Sequence, residues 1–512
     1  MKDITELPND IFLLIVTQLS PRDLILGRRV SRKWQAAFTQ AELARHVLLL
    51  HYPRASEIRS IKSERDADWA CLLAKIAARY HFLKLGRPRS IEKLSLAQSF
   101  VRPEWARYHP VAPWKRHLQF EDKSAPFHYP DKLWTFDEGI LIFPSSKLQR
   151  YALYDLASGV VGGISFQPVG KIVRRIRLKE KVLIVEWCEK DAYHQLNENE
   201  TVYRHFATAY DLTQDENGSW TTHFRNEWRI HFLGMPLNSR DRFYSTHSAT
   251  HYALYIWQPN RSAWGEDEPI EALAIWDISS PSPYQPSEDT TGKDKPAETA
   301  EGPRVLKRFS FADLDFYKIR QRASPTLREL RLDENHVYLV EEDHRWLVGE
   351  QSSPSLPRLH KVKTVGIPFT AGPRWEDECG ADGDMNLSFC ERGMDSRHPR
   401  HAPCWRHEEF PYLTITEAAD LAAGVRYTAR HCFMLETISI NIRPKIHVKG
   451  PGYEISLQDD LWQQLLAKGS IHGSEHWLVG ENVDREIVIL HFDQQMSSLD
   501  QGDVHHELGL DA

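Results

Sequence analysis

Six side chains that can ligate a metal fall within one short stretch: Cys379, Cys390, His398, His401, Cys404 and His407. Thiolates and imidazoles are the donors zinc prefers. A structural zinc site takes its cysteines as tight pairs two to four residues apart, whereas the two nearest cysteines here are eleven apart. The stretch therefore reads as a Gly-, His- and Cys-rich loop with ordinary thiols, and no metal ligand is assigned. Nucleophilic and phosphate chemistry leave no mark either. The chain has no Gly-x-Ser-x-Gly elbow, no His-Glu-x-x-His and no phosphate-cradling glycine loop. Ser470 and His472 lie beside Gly469 and Gly473, but the match is one of residue type alone. No catalytic residue and no cofactor are expected.

Recognition is written more clearly than catalysis, and it sits in the first forty residues. Pro8 suits a first helical turn, because its missing N–H would be unpaired there anyway. Ile11, Ile15 and Leu19 recur at i, i+4 and i+8 and share one helix face. Phe12, Leu13, Leu14 and Val16 make the rest of that helix apolar too, so it must be covered on several sides. A second helix opens at Ser20-Pro21-Arg22-Asp23, with Ser20 as cap and Asp23 at the positive end of the dipole. Val30, Trp34 and Phe38 repeat the helical spacing in a third. Three helices of this size bury little surface alone and carry no cysteine staple, so a partner is the simpler source of stability. Arg28, Arg29, Arg32 and Lys33 read as rim charges around such a contact.

Leu7-Pro8, the Ile11/Ile15/Leu19 spacing, Ser20-Pro21-Arg22-Asp23-Leu24 and Arg29-Val30-Ser31-Arg32-Lys33-Trp34 together resemble the F-box family over residues 4 to 45. The resemblance implies binding to the Skp-family adaptor of a cullin-RING ubiquitin ligase. Carried over position by position, it implies adaptor contacts from Leu7, Pro8, Ile11, Ile15, Leu19, Pro21, Leu24, Val30 and Trp34.

The other residues read differently. Helical spacing continues from 61 to 99, where Trp69, Leu72, Leu73, Ile76 and Tyr80 share a face. From about Trp134 short strands take over. A hairpin with a polar, glutamate-bearing turn recurs at Trp134–Phe143, Ile176–Glu186 and Leu330–Glu341, with a fourth version at Trp477–Leu490. Strands ending in aromatic-Asp-aliphatic recur at Tyr154-Asp155-Leu156, Tyr210-Asp211-Leu212 and Trp276-Asp277-Ile278. The aspartates can accept turn hydrogen bonds that close a blade's next loop. A propeller-like repeat is expected, with a β-sandwich or barrel as the competing reading. The spacings, 56 and 66 residues between these aspartates, are longer and looser than in WD-repeat proteins. Residues 279–304 are rich in Pro, Ser, Thr and charge, and so are expected to form a disordered insertion. A second insertion is expected from Gly372 to Phe410, and a capped helix from Ser456 to Leu466.

The expected architecture is α+β and multidomain. A three-helix docking domain spans 1–48, a helical connector 49–102, an all-β propeller-like domain 103–492 and a polar tail 493–512. Net charge of −7 argues against a nucleic-acid binder. The apolar run Ile11–Val16 is too short to span a membrane and lacks the basic start of a signal peptide. Six scattered cysteines fit a reducing compartment, cytoplasmic and/or nuclear. The resemblance thus implies a non-catalytic substrate receptor that binds adaptor and cullin at one end and a protein target at the other. A scaffold using the same adaptor contact outside a ligase, or an enzyme sited in the β domain, are the alternatives.

Overall fold

Pro8, held at φ −51° and ψ 143°, turns the chain into the first helix, α1 (Asn9–Val16). Ser20 caps α2 (Pro21–Gly27), its hydroxyl accepting from the Asp23 N–H at 3.2 Å. Ser31 does the same for α3 (Arg32–Phe38), accepting from the Trp34 N–H at 3.2 Å. Val30 therefore precedes the third helix instead of lying on it, because the capping serine needs extended backbone. Helices α4 (Ala41–His51), α5 (Ser56–Ser60) and α6 (Trp69–Leu85) follow. Gly86, at φ 63°, ends α6 in the left-handed conformation.

The computed structural model describes residues 4–61, 67–96, 132–346, 358–382, 389–390, 402–403, 412–432 and 444–493, with short omissions inside 132–346 and 444–493. The chain divides into two compact units, residues 1–95 with 414–512 and residues 96–413. Among the described residues, six antiparallel sheets have four strands each. They are the blades of a six-blade β-propeller, so the chain is a helical N-terminus followed by an all-β domain.

Blades 1 to 4 belong to the second unit. In blades 1, 2 and 4 the innermost hairpins are the repeats seen in sequence: Thr135–Asp137 with Ile140–Ser145, Lys171–Lys179 with Val182–Glu189, and Leu327–Leu332 with His336–Trp346. In blades 1 and 2 the turns are two residues long, and both residues have positive φ: Glu138 46° with Gly139 86°, and Glu180 53° with Lys181 61°. That is the type I′ geometry whose twist matches the strands. In blade 4, Asp333 accepts from the N–H groups of Asn335 and His336 at 2.8 and 2.6 Å. Apolar clusters lie between successive sheets, with Ile142, Leu153, Ile176 and Val185 in one and Ala253, Leu273, Leu330 and Val365 in another.

The recurring aspartates each sit on the third strand of their blade. Asp155 accepts from the Ala157 N–H and the Ser158 hydroxyl, both at 2.9 Å, and Asp277 accepts from the Ser279 N–H at 3.0 Å. Those two close their turns as expected. Asp211 is used otherwise and pairs with Arg225 on the neighbouring strand (Nε–Oδ1 2.9 Å).

Blades 5 and 6 belong to the first unit. Blade 5 is Tyr412–Asp420, Val425–Cys432, Pro444–Gly450 and Tyr453–Ser456. Blade 6 takes three strands from the C-terminal region, His472–Gly473, Trp477–Glu481 and Glu486–His491, and its fourth, Ser90–Ser95, from the N-terminal region. One apolar core serves this whole unit. Phe12, Val16, Leu24, Phe38, Leu43, Val47 and Leu48 of the helices share it with Tyr427, Leu478 and Leu490 of the blades.

Four expectations need correcting. The helical reading of 61–99 fails at Ser90–Ser95, which pair antiparallel with Glu486–His491. Ile91 and Leu94 stand three apart and imitate a helix, but Arg87-Pro88-Arg89 breaks the helix before them. The insertion placed from Gly372 begins later, since Trp375–Asp382 is the fourth strand of blade 4. The proposed helix at Ser456 is a strand at its start, because Tyr453–Ser456 continue the pairing of blade 5. The disordered reading of 279–304 does not hold for its first part. Asn226 Nδ2 donates to the carbonyls of Ile278 and Ser280 at 3.1 and 3.0 Å, and Glu227 accepts from the Ser287 N–H at 3.0 Å, so blade 2 supplies the partners that composition could not reveal. Most of 290–301 and of 494–512 lies outside the described residues.

Blade 6 carries a steric prediction. A Cβ on Gly480 would stand 2.3 Å from the Leu465 carbonyl oxygen, a backbone atom that cannot swing away. Gly480→Ala should therefore cost about 2–3 kcal/mol, the upper part of the range for overpacking. A denaturant midpoint unchanged from the parent chain would count against the close approach.

Candidate functional site

The N-terminal helices sort their apolar residues into two sets. Phe12, Val16, Leu24 and Phe38 are buried. Phe38 is the hub of this inner set: Trp34 stacks on it at 5.1 Å and Phe12 meets it edge-on at 5.7 Å. Gly27 allows the close approach of α2 to α3, since a Cβ there would lie 3.2 Å from the Phe38 ring. Arg28 ties the end of α2 down, donating to the Phe38 and Ala70 carbonyls, each at 3.2 Å. The second set is uncovered: Ile11 is 46% exposed, Leu14 66%, Ile15 41%, Leu19 37%, Leu26 46% and Val30 64%. Ile11, Leu14 and Ile15 stand at i, i+3 and i+4 and form one strip along α1.

The nine expected contact residues fall into three groups. Ile11, Ile15, Leu19, Val30 and Pro8 are exposed. Leu7 and Trp34 are half-buried against the unit's core. Pro21 and Leu24 are buried, and this corrects their assignment to a partner. Leu24 is only 1% exposed, so it can reach no visitor unless the helices open. Leu14 and Leu26 belong to the uncovered set and were missed. The signal was there for Leu14, which shares a helix face with Ile11 and Ile15. Sequence spacing alone could not tell which side of an all-apolar helix faces inward.

Charge rims the face. Lys33 pairs with Glu6 at 3.0 Å, and Arg29 and Arg32 are exposed. Among the described residues no group of three metal-ligating side chains occurs. Cys379 and Cys390 lie on strands, and His398, His401, Cys404 and His407 lie outside the described residues. No helix among the described residues is long and apolar enough to cross a membrane.

The N-terminal helices thus keep an apolar face open, and propeller blades follow them in the chain. Residues 4–50 match the F-box-like family model, so the chain carries an F-box-like domain at its N-terminal end. An F-box-like domain with a propeller is the architecture of substrate-receptor adaptors, which are typically non-catalytic, and F-box domains generally bind Skp-family adaptors. No curated protein matches the chain. Among solved structures it is similar to the Cps50 (Swd1) beta-propeller domain of Myceliophteria thermophila, at 10% identity and a TM-score of 0.24 over 70% of this chain and 81% of that one.

Proposed function

We propose that this chain is the substrate-receptor subunit of an SCF-type cullin-RING ubiquitin ligase, acting in the cytoplasm and/or nucleus. The exposed face of α1 and α2 takes a Skp-family adaptor and, through it, a cullin. The blades hold a protein target. Ubiquitin transfer then gains from proximity, because a tethered target lysine meets the conjugating enzyme at high effective concentration. No residue of this chain needs to do covalent chemistry.

The observation that carries the reading is the split within α1. Phe12 and Val16 are 4% and 0% exposed, while Ile11, Leu14 and Ile15 on the same eight-residue helix stay open. A soluble chain that leaves such a face uncovered has a use for it.

Glutamate at Ile11 and Ile15 together tests this. The two exposed side chains are not needed by the core, so the melting temperature should hold. Adaptor binding should fall at least ~100-fold, because the contact loses apolar area and gains two buried, unpaired charges. Co-purification with the adaptor surviving the double change would overturn the assignment.

A further inference from the structure

The first unit has a half-open cavity of about 640 Å³ between the end of α4 and blade 5. Tyr52 and Tyr80 give it an aromatic wall, their rings 4.8 Å apart. Arg54, Arg426 and Lys449 also line it, which gathers positive charge on a chain whose net charge is −7. The one acid in the lining, Asp420, is already committed. Its Oδ1 accepts from the Ala423 N–H at 2.9 Å and its Oδ2 from the Glu475 N–H at 3.3 Å. Arg426 has a partial partner in Glu417 at 3.3 Å. The Arg54 guanidinium makes no ion pair or hydrogen bond within the described residues. Leu421, 78% exposed, stands among the lining residues.

We infer that this cavity is a binding site for an acidic peptide segment, with a carboxylate held by Arg54 and Arg426 and a neighbouring apolar side chain set against Tyr52 and Leu421. The volume is that of a pocket for a ligand of drug-like size, here a few residues of chain. A guanidinium fork suits a carboxylate in two-point contact. Burial pushes the Tyr52 phenol up to about 12, so it remains a neutral hydrogen-bond donor throughout the working range of pH. That the ligand is a protein segment rests on the receptor reading above; the preference for an anion next to an apolar group rests on the cavity alone.

The probe is a capped, fluorescein-labelled peptide, Gly-Glu-Leu-Asp-Glu-Gly, set against its amide twin, Gly-Gln-Leu-Asn-Gln-Gly. Anisotropy is read on the full chain, on Arg54→Glu and on the milder Arg54→Gln. The acidic peptide should bind the parent chain at least tenfold more tightly than the amide twin, and added salt should weaken it. Arg54→Glu should lose tenfold or more and Arg54→Gln a smaller part, with melting temperatures unchanged. Equal binding of the two peptides, no binding of either, or full binding to Arg54→Glu would overturn the site. Adaptor capture, measured on the same preparations, separates the two proposals. Capture without peptide binding overturns the cavity proposal alone, and peptide binding without capture overturns only the ligase reading.

Discussion

Arg79→Met should destabilise the first unit by about 3–5 kcal/mol, the cost of removing one partner from a buried ionic group. Arg79 is fully buried on α6. Its guanidinium donates to Glu57 at 2.8 and 2.7 Å, to Glu475 at 2.9 Å and to Asp493 at 3.2 Å. Glu475 is fully buried too, and it also accepts from the Tyr80 hydroxyl at 2.9 Å and the Ser56 N–H at 2.7 Å. His476 joins from the same strand-to-strand turn, bonding Asp493 through Nδ1 and Ser56 through Nε2, the latter at 2.9 Å. Methionine fills much of the space but leaves three carboxylates with only the half-exposed Lys75, which reaches Glu57 at 3.2 Å, as a lysine or arginine counter-charge. The second variant is diagnostic. Arg79→Met with Glu475→Gln removes the most deeply buried anion, so it should recover part of the loss, and the non-additivity is the coupling between the two groups. A single-variant cost under about 1 kcal/mol would mean that the network is not desolvated as described.

The same network sets an acid limit. Burial alone would raise the Glu57 carboxyl, but the hydrogen bonds and charge of Arg79 outweigh it and hold the group well below the usual carboxylate range. At Asp493 burial again pushes the carboxyl up, but the His476 hydrogen bond and the Arg79 charge outweigh it and hold the group below its ordinary value. Both groups titrate lower in the fold than in the open chain. Their stabilisation is therefore complete above pH about 4 and drains away as pH falls toward the folded values. Arg79→Met should flatten that acid limb of the stability profile.

Sequence spacing made some of this legible and hid the rest for physical reasons. The helix starts could be read because caps are local: Ser20 and Asp23 touch only each other's turn. The hairpins of blades 1, 2, 4 and 6 were visible because their two strands are adjacent in the chain. Blade 6's outer strand was not, since Ser90 pairs with His491 across nearly the whole sequence. The Arg79 hub was hidden for the same reason, with Glu57 on one side and Glu475 and Asp493 about four hundred residues beyond. The docking face was half legible. Apolar periodicity found the helix, but the division between Phe12 inward and Leu14 outward depends on what α3 and the rest of the unit supply.

Removing residues 1–95 should abolish the fold of what remains of the first unit. The deletion takes away α1 to α6 and the outer strand of blade 6 together. Leu94, 2% exposed, leaves its place against that blade, and the Glu486–His491 strand becomes a bare edge open to pairing with another molecule. Tyr427, Leu478, Leu490 and Phe492 lose their cover of Leu43, Val47, Leu73, Ile76 and Leu83. At about 1.5–3 kcal/mol for each large side chain returned to water, these four losses reach about 6–12 kcal/mol, as much as the whole stability of an ordinary domain, about 5–15 kcal/mol. Residues 96–512 should thus aggregate or be digested rapidly in limited proteolysis, with the earliest cuts in 414–493. A soluble, monomeric and protease-resistant 96–512 would show that blades 5 and 6 stand without the helices. The consequence for function is direct. Shorter deletions of the docking helices also strip Phe12, Leu24 and Phe38 from the shared core, so a lost phenotype after truncation reports unfolding as much as a lost adaptor contact. Surface substitutions at Ile11 and Ile15 separate the two, because those side chains lie on the exposed side of the same helix.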